Sequence, residues 1–279
     1  MADLTLTSTV TMNDGNKIPQ YGFGVFDINE GDVCEQAVLA ALEAGYRHLD
    51  TAYVYKNEEF VGSAVAKSSV PREDIFITTK NVFDHNPEKI REVFKQSQDK
   101  LQTDYVDLFL IHWPLNDEGL PGAWDCLCQM KEEGLIKSAG VSNITVKRFE
   151  VLLQQNGTMP AVNQIQMHVY HQRPDLVEYC AKNNIVIEAW SPLARGLKFD
   201  DPGQTLIDIA EKHGRPVPHI MIRFILDQGH VCLVKSKTPS RIRENTEIFD
   251  FDLDDEDMAA LKAMNEDNDV LGWTPKDYY

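Results

Sequence analysis

Ile75–His112 reads IFITTKNVFDHNPEKIREVFKQSQDKLQTDYVDLFLIH, and this stretch carries the repeating unit from which the rest of the chain is built. It opens on a short β-rich run, Ile75 to Lys80, that ends in a charge. Pro87 then suits the first turn of an amphipathic helix reaching Leu101, because a helix start needs no amide hydrogen at that position. A second run, Val106 to His112, is largely apolar and closes on an imidazole. Strands with apolar residues on both faces belong between a core and covering helices, so the unit predicts parallel strands joined by a helix.

The same alternation extends in both directions. Further strands are expected at Tyr21 to Phe26, Arg47 to Asp50, Ser138 to Ser142, Ala161 to Gln166, Val186 to Trp190 and Val231 to Val234. Helical patterns occupy Val33 to Ala44, Thr145 to Gln155 and Pro174 to Asn183. Residues 192–228 hold more than one helix, which makes the seventh connection the longest. Eight strands alternating with helices in 279 residues predict an α/β fold of the closed (β/α)8 (TIM) barrel type rather than an open sheet. No linker or composition shift divides the chain, so residues 1–279 read as a single domain. Before the barrel, TSTVTMNDGNKIP (Thr7–Pro19) alternates β-formers around an Asp-Gly turn, the signal of a hairpin cap. After it, Asp254 to Met264 predicts an extra helix, its opening acids matched to the helix dipole, followed by a C-terminal tail.

The composition, 43% hydrophobic and 25% charged, is that of a soluble globular protein. No apolar run approaches the roughly 18 residues of a membrane span, and the first residues lack the pattern of a signal peptide, so a cytoplasmic location is expected. Five scattered cysteines suggest reduced core thiols. A net charge of −17 disfavours nucleic acid and anionic membranes as partners. Against that background Lys235, Lys237, Arg241 and Arg243 form a local basic cluster. Nothing marks a subunit interface; a monomer is expected and a dimer stays open. No metal-ligand spacing, P-loop or complete dinucleotide-binding glycine fingerprint is present.

In a barrel of this kind chemistry gathers where the strands end. The expected ends are Asp50, Lys80, His112, Ser142 with Asn143, the neighbourhood of Gln164, Trp190 and Lys235. Asp50, Lys80 and His112 come from adjacent strands, with Tyr55 in the loop after the second, and together they compose a proton-transfer site. Tyrosine, with an unperturbed pKa of about 10, needs a neighbouring cation to stabilise its phenolate. Lys80 supplies that charge, Asp50 keeps Lys80 protonated, and a neutral His112 orients a substrate oxygen.

These residues lie in motifs that resemble the aldo-keto reductase superfamily: GYRHLDTAYVYKNE (Gly45–Glu58), ITTK ending at Lys80, LIHWP (Leu110–Pro114), GVSN (Gly140–Asn143), AVNQIQMH (Ala161–His168), EAWSPLARG (Glu188–Gly196) and LVKSKTPSRIRENTEIFDF ending at Phe251. The resemblance implies NADPH-dependent reduction of aldehydes and ketones, with Tyr55 as general acid and Lys80, Asp50 and His112 beside it. It implies that Ser142, Asn143 and Gln164 hold the nicotinamide carboxamide and that Trp190 stacks on the ring, with Ser191 and Leu193 near the cofactor. Lys235, Ser236 and Arg241 become a 2′-phosphate site, with Glu244 and Asn245 near the adenine. Phe26, Tyr53, Phe83, Trp113 and Trp273 are expected as walls of a pocket for a small carbonyl substrate. Compact loops after His112 and Gly196 are similar to the short-loop group that includes 2,5-diketogluconate reductases and protozoan prostaglandin F synthases. Asn81, Val82, Gln166 and Val169 depart from the usual pattern. Two rival readings are an NADPH-binding sensor or scaffold without significant turnover, and a Schiff-base aldolase using Lys80.

Overall fold

The computed structural model describes residues 4–81, 83–267 and 269. A two-stranded antiparallel hairpin comes first, β1 (Thr9–Thr11) and β2 (Lys17–Pro19). Gly15 takes φ +86° at its turn, a conformation open to glycine without strain. The barrel strands follow: β3 (Tyr21–Gly24), β4 (His48–Asp50), β5 (Phe76–Lys80), β6 (Val106–Ile111), β7 (Ile136–Ser142), β8 (Val162–Gln166), β9 (Val186–Trp190) and β10 (Val231–Val234). They pair in parallel and β10 closes on β3, so the predicted closed barrel is what forms.

Helices α1 (Gly31–Glu43), α2 (Glu58–Lys67), α3 (Pro87–Leu101), α4 (Leu120–Glu132), α5 (Val146–Leu152) and α6 (Pro174–Lys182) each follow a strand. The seventh connection carries α7 (Gln204–His213) and α8 (Val217–Leu226), and α9 (Pro239–Glu244) follows β10. The last helix, α10 (Asp255–Ala263), starts on a capping box between Asp254 and Asp257. Helix α3 has the bounds read from its proline and periodicity; the Asn86 side chain caps it by accepting from the Lys89 amide. Helices α2 and α4 were not anticipated. Both carry small residues, glycine among them, that dilute an apolar stripe.

Strand alternation sorts side chains into two shells. Outward residues such as Ile77, Phe109 and Ile111 join one large core beneath the helices. Inward residues fill the barrel in layers. At the N-terminal end Leu108, Leu110, Val162, Val186 and Val231 pack with Met12 and Ile18 of the hairpin, which closes that end. Asn13 and Asn16 donate hydrogen bonds to the carbonyls of Pro160 and Lys137, pinning the hairpin in place. Above this layer the interior is polar: His48, Thr78, Glu188, Gln164, Asp50 and Lys80 are all buried. The expectation of strands apolar on both faces therefore holds for one end of the barrel and fails for the other.

Candidate active site

Asp50 closes β4 and Lys80 closes β5, and parallel pairing brings their heads together inside the barrel. Lys80 Nζ donates to both Asp50 carboxylate oxygens at 2.8 and 2.7 Å, to the Thr51 carbonyl at 2.8 Å, and lies 3.5 Å from the Tyr55 hydroxyl. Burial acts to lower the Lys80 pKa, but Asp50, Tyr55 and Glu188 together outweigh it and the net shift is upward. Lys80 is held as an ammonium ion.

Tyr55 is half-buried, next to His112 with ring centroids 5.6 Å apart. Its pKa is pushed up to about 12, because burial and the carboxylates outweigh the lowering by Lys80. Without a ligand the residue is a stable phenol. His112 lies just past β6 and is placed through its backbone: its amide donates to Asn81 Oδ1 at 2.8 Å, and its carbonyl accepts from Asn143 at 3.2 Å. Burial, then the charge of Lys80, hold its pKa well below the usual imidazole range, so the ring is neutral. Asn81, read in the sequence only as a departure, thus aligns a site residue.

Asp50, Tyr55 and His112 line one cavity of about 1190 Å³, and Lys80 is buried behind them. Ser142, Asn143, Gln164, Trp190, Ser191 and Leu193 border it, and so do Lys235, Ser236, Arg241, Glu244 and Asn245. Trp190 Nε1 donates to Asn143 Oδ1 at 3.1 Å, and Asn143 Nδ2 donates to Ser142 Oγ at 2.9 Å. Gln164 Nε2 donates to Asp50 at 2.8 Å and to Glu188 at 3.0 Å. Both amide hydrogens are committed, so only Oε1 remains to receive a donor from the cavity. Phe26, Phe83 and Trp113 lie on the wall, the first two largely exposed at 41% and 47%. Tyr53 does not. Its hydroxyl donates to Gln96 on α3 and Lys100 sits over its ring at 4.4 Å, because the short helical turn at Tyr53–Tyr55 directs Tyr53 and Tyr55 to different sides. Trp273 and Val82 lie outside the described residues.

Sequence reasoning missed Glu188, His48 and the Arg195–Asp27 ion pair of 3.1 Å beside the cavity. The first two were within reach: Glu188 shares a strand face with Trp190, and His48 shares one with Asp50.

The sequence profile described as Aldo/keto reductase family matches residues 27–266. The chain belongs to that family. It is 41% identical to a glyoxal reductase of Bacillus subtilis (strain 168) over 95% of this chain and 96% of that protein. It is 40% identical to methylglyoxal reductase DkgA of Escherichia coli (strain K12), covering 93% and 94%. A Bombyx mori aldo-keto reductase solved in complex with NADP superposes with a TM-score of 0.87 at 32% identity, covering 96% of this chain and 95% of that one. The protein is therefore an oxidoreductase of the aldo/keto reductase family, acting on carbonyl compounds. Among the described residues no helix is long and apolar enough to cross a membrane.

Proposed function

We propose that this protein reduces small aldehydes, ketones and vicinal dicarbonyls to alcohols with NADPH, Tyr55 delivering the proton. The observation that carries the reading is the contact of a fully buried ammonium, Lys80, with Asp50 and the Tyr55 hydroxyl in the wall of a cavity that also holds a neutral His112.

The cavity suits a nicotinamide dinucleotide phosphate. Gln164 offers an acceptor and Ser142 and Asn143 lie next to it, a set suited to a carboxamide. Lys235, Ser236 and Arg241 offer two cations and a hydroxyl to a phosphate monoester, in a chain otherwise acidic enough to repel one. When bound, the reduced nicotinamide supplies the hydride. The protein's part is to hold the carbonyl oxygen between the Tyr55 hydroxyl and the His112 ring, so that charge developing on oxygen meets fixed donors. Tyr55 gives up its proton to that oxygen, and the Lys80 ammonium, anchored by Asp50, stabilises the phenolate left behind. Phe26 and Phe83 leave room for compact, uncharged substrates, in keeping with the named substrates of the relatives.

The protonated state of Lys80 argues against the aldolase reading, since an ammonium has no lone pair to attack a carbonyl. The complete acid site argues against a silent sensor or scaffold. Oxidation of NADPH and of NADH, followed in parallel with glyoxal, methylglyoxal and larger aldehydes, tests the proposal. Turnover with NADPH on the small dicarbonyls is expected. Cofactor binding without turnover of any carbonyl would overturn it.

A further inference from the structure

Beneath the acid site a line of polar groups runs down the barrel interior. From Asp50 it passes through Gln164 to Glu188 Oε2, then from Glu188 Oε1 to His48 Nε2 at 3.4 Å, and from His48 Nδ1 to the Pro19 carbonyl at 3.3 Å. Glu188 and His48 are completely buried. A carbonyl can only accept, so His48 Nδ1 carries the hydrogen and Nε2 of the neutral ring presents a lone pair, to which the Thr78 hydroxyl donates at 2.9 Å. Glu188 Oε1 therefore faces a lone pair and has no hydrogen-bond donor among the described residues. A carboxylate oxygen in that position is doubly penalised, by burial and by lone-pair repulsion. A carboxylic acid hydroxyl there carries no charge and turns a hydrogen toward Nε2, which it shares with the Thr78 hydroxyl.

We propose that Glu188 is a positioning residue of the reductase: it is held as the neutral acid under Asp50 and Gln164, so that Lys80 is balanced by one carboxylate instead of two. The proposal rests on the reading of Tyr55 as the acid. The titratable groups facing Glu188 are His48 and Asp50 from β4, Lys80 from β5 and Tyr55 from the loop above; β8 contributes Gln164, which is not titratable. With Glu188 neutral, Asp50 and Lys80 sum to zero charge beside the phenol. Loss of the Glu188 proton makes that sum negative, which makes Tyr55 a weaker acid and opposes negative charge growing on the substrate oxygen. Burial, with Asp50 adding to it, raises the Glu188 carboxyl to about 8, so this change falls in mildly alkaline conditions. The same proton keeps Glu188 an undemanding acceptor for Gln164, which fixes the face that Gln164 turns to the cavity.

The test is the pH dependence of kcat/KM for glyoxal reduction with NADPH, between about pH 6 and about pH 10, for wild type and Glu188→Gln. Glutamine keeps the acceptor for Gln164 and cannot ionise. Wild type is expected to lose activity as Glu188 ionises, and Glu188→Gln to lack that decline, changing the alkaline-to-neutral activity ratio about threefold or more. In parallel, infrared spectra of the wild-type protein are expected to contain the carbonyl stretch of a buried carboxylic acid that disappears over the same pH range. If the variant does not fold, coincidence of that spectral loss with the wild-type kinetic decline decides the matter. An alkaline decline shared by both proteins, or no carboxylic acid band at neutral pH, overturns the role of Glu188 alone. Absence of wild-type turnover with every carbonyl overturns the reductase reading itself, and with it this role.

Discussion

The two ends of the barrel are made from the same strands and lie two to four residues apart along each. At the N-terminal end the inward positions are Leu108, Leu110, Val162 and Val231, sealed by Met12 and Ile18. Two or four residues further on, the inward positions are Lys80, Gln164 and Ser142, and no hairpin covers them. One end is a packed core whose atoms contribute through excluded water and close contact. The other is a set of charged and polar groups that burial would destabilise unless each found a partner. Parallel pairing lets one fold hold both, because it aligns all the strands in the same direction and so collects all the ends in one place.

That contrast is open to direct attack. The largest expected effect is at the mouth: Tyr55→Phe removes the proposed acid and is expected to lower kcat by about 10²- to 10⁴-fold, while NADPH affinity, measured by fluorescence titration, stays near wild type. A kcat near wild type in this variant would remove Tyr55 from the reaction. At the closed end Leu108→Ala is expected to cost about 2–5 kcal/mol in denaturant unfolding and to leave kcat/KM nearly unchanged under folding conditions. An equal loss in both readouts would show that the two ends are not separable. Arg241→Ala tests the cofactor cavity and is expected to weaken NADPH by about tenfold with little effect on NADH, measured by the two dissociation constants. The smallest effect concerns the layer between the ends. Glu188 has a folded-state pKa raised above its ordinary 4.5, to about 8, so folding takes up a proton. Its contribution is fully present below the unfolded value and is lost as pH rises through the folded one. Urea midpoints should therefore fall from about pH 6 to about pH 9, and fall less in Glu188→Gln.

Much of this was legible in the chain. The strand at Val186–Trp190, the strand at Val231–Val234 and the helix at Pro87–Leu101 have the bounds that periodicity and proline placement predict. Asp50, Lys80 and His112 stand out because each ends a β-rich run with a group able to carry a proton, and Tyr55 because it lies in the loop just past the first of them. Glu188 did not stand out, since it lies inside a strand and reads there as a lone charge in an apolar run. Its meaning comes from His48 and Asp50, which are more than a hundred residues away. Tyr53 differs for a related reason: an aromatic two residues before Tyr55 looks like a pocket wall, and only the helical turn between them sends it to Gln96 and Lys100.

The sequence alone determined the strand–helix repeat, the residues at the strand ends and the position of the basic cluster, because backbone preferences and hydrophobic period act over a few neighbouring residues. The tertiary structure decided which ends meet, which side of a turn an aromatic takes, and how far burial outweighs Lys80 at Tyr55. Those outcomes depend on distances between groups far apart in the chain and on the loss of water around them, and neither quantity exists until the barrel has closed.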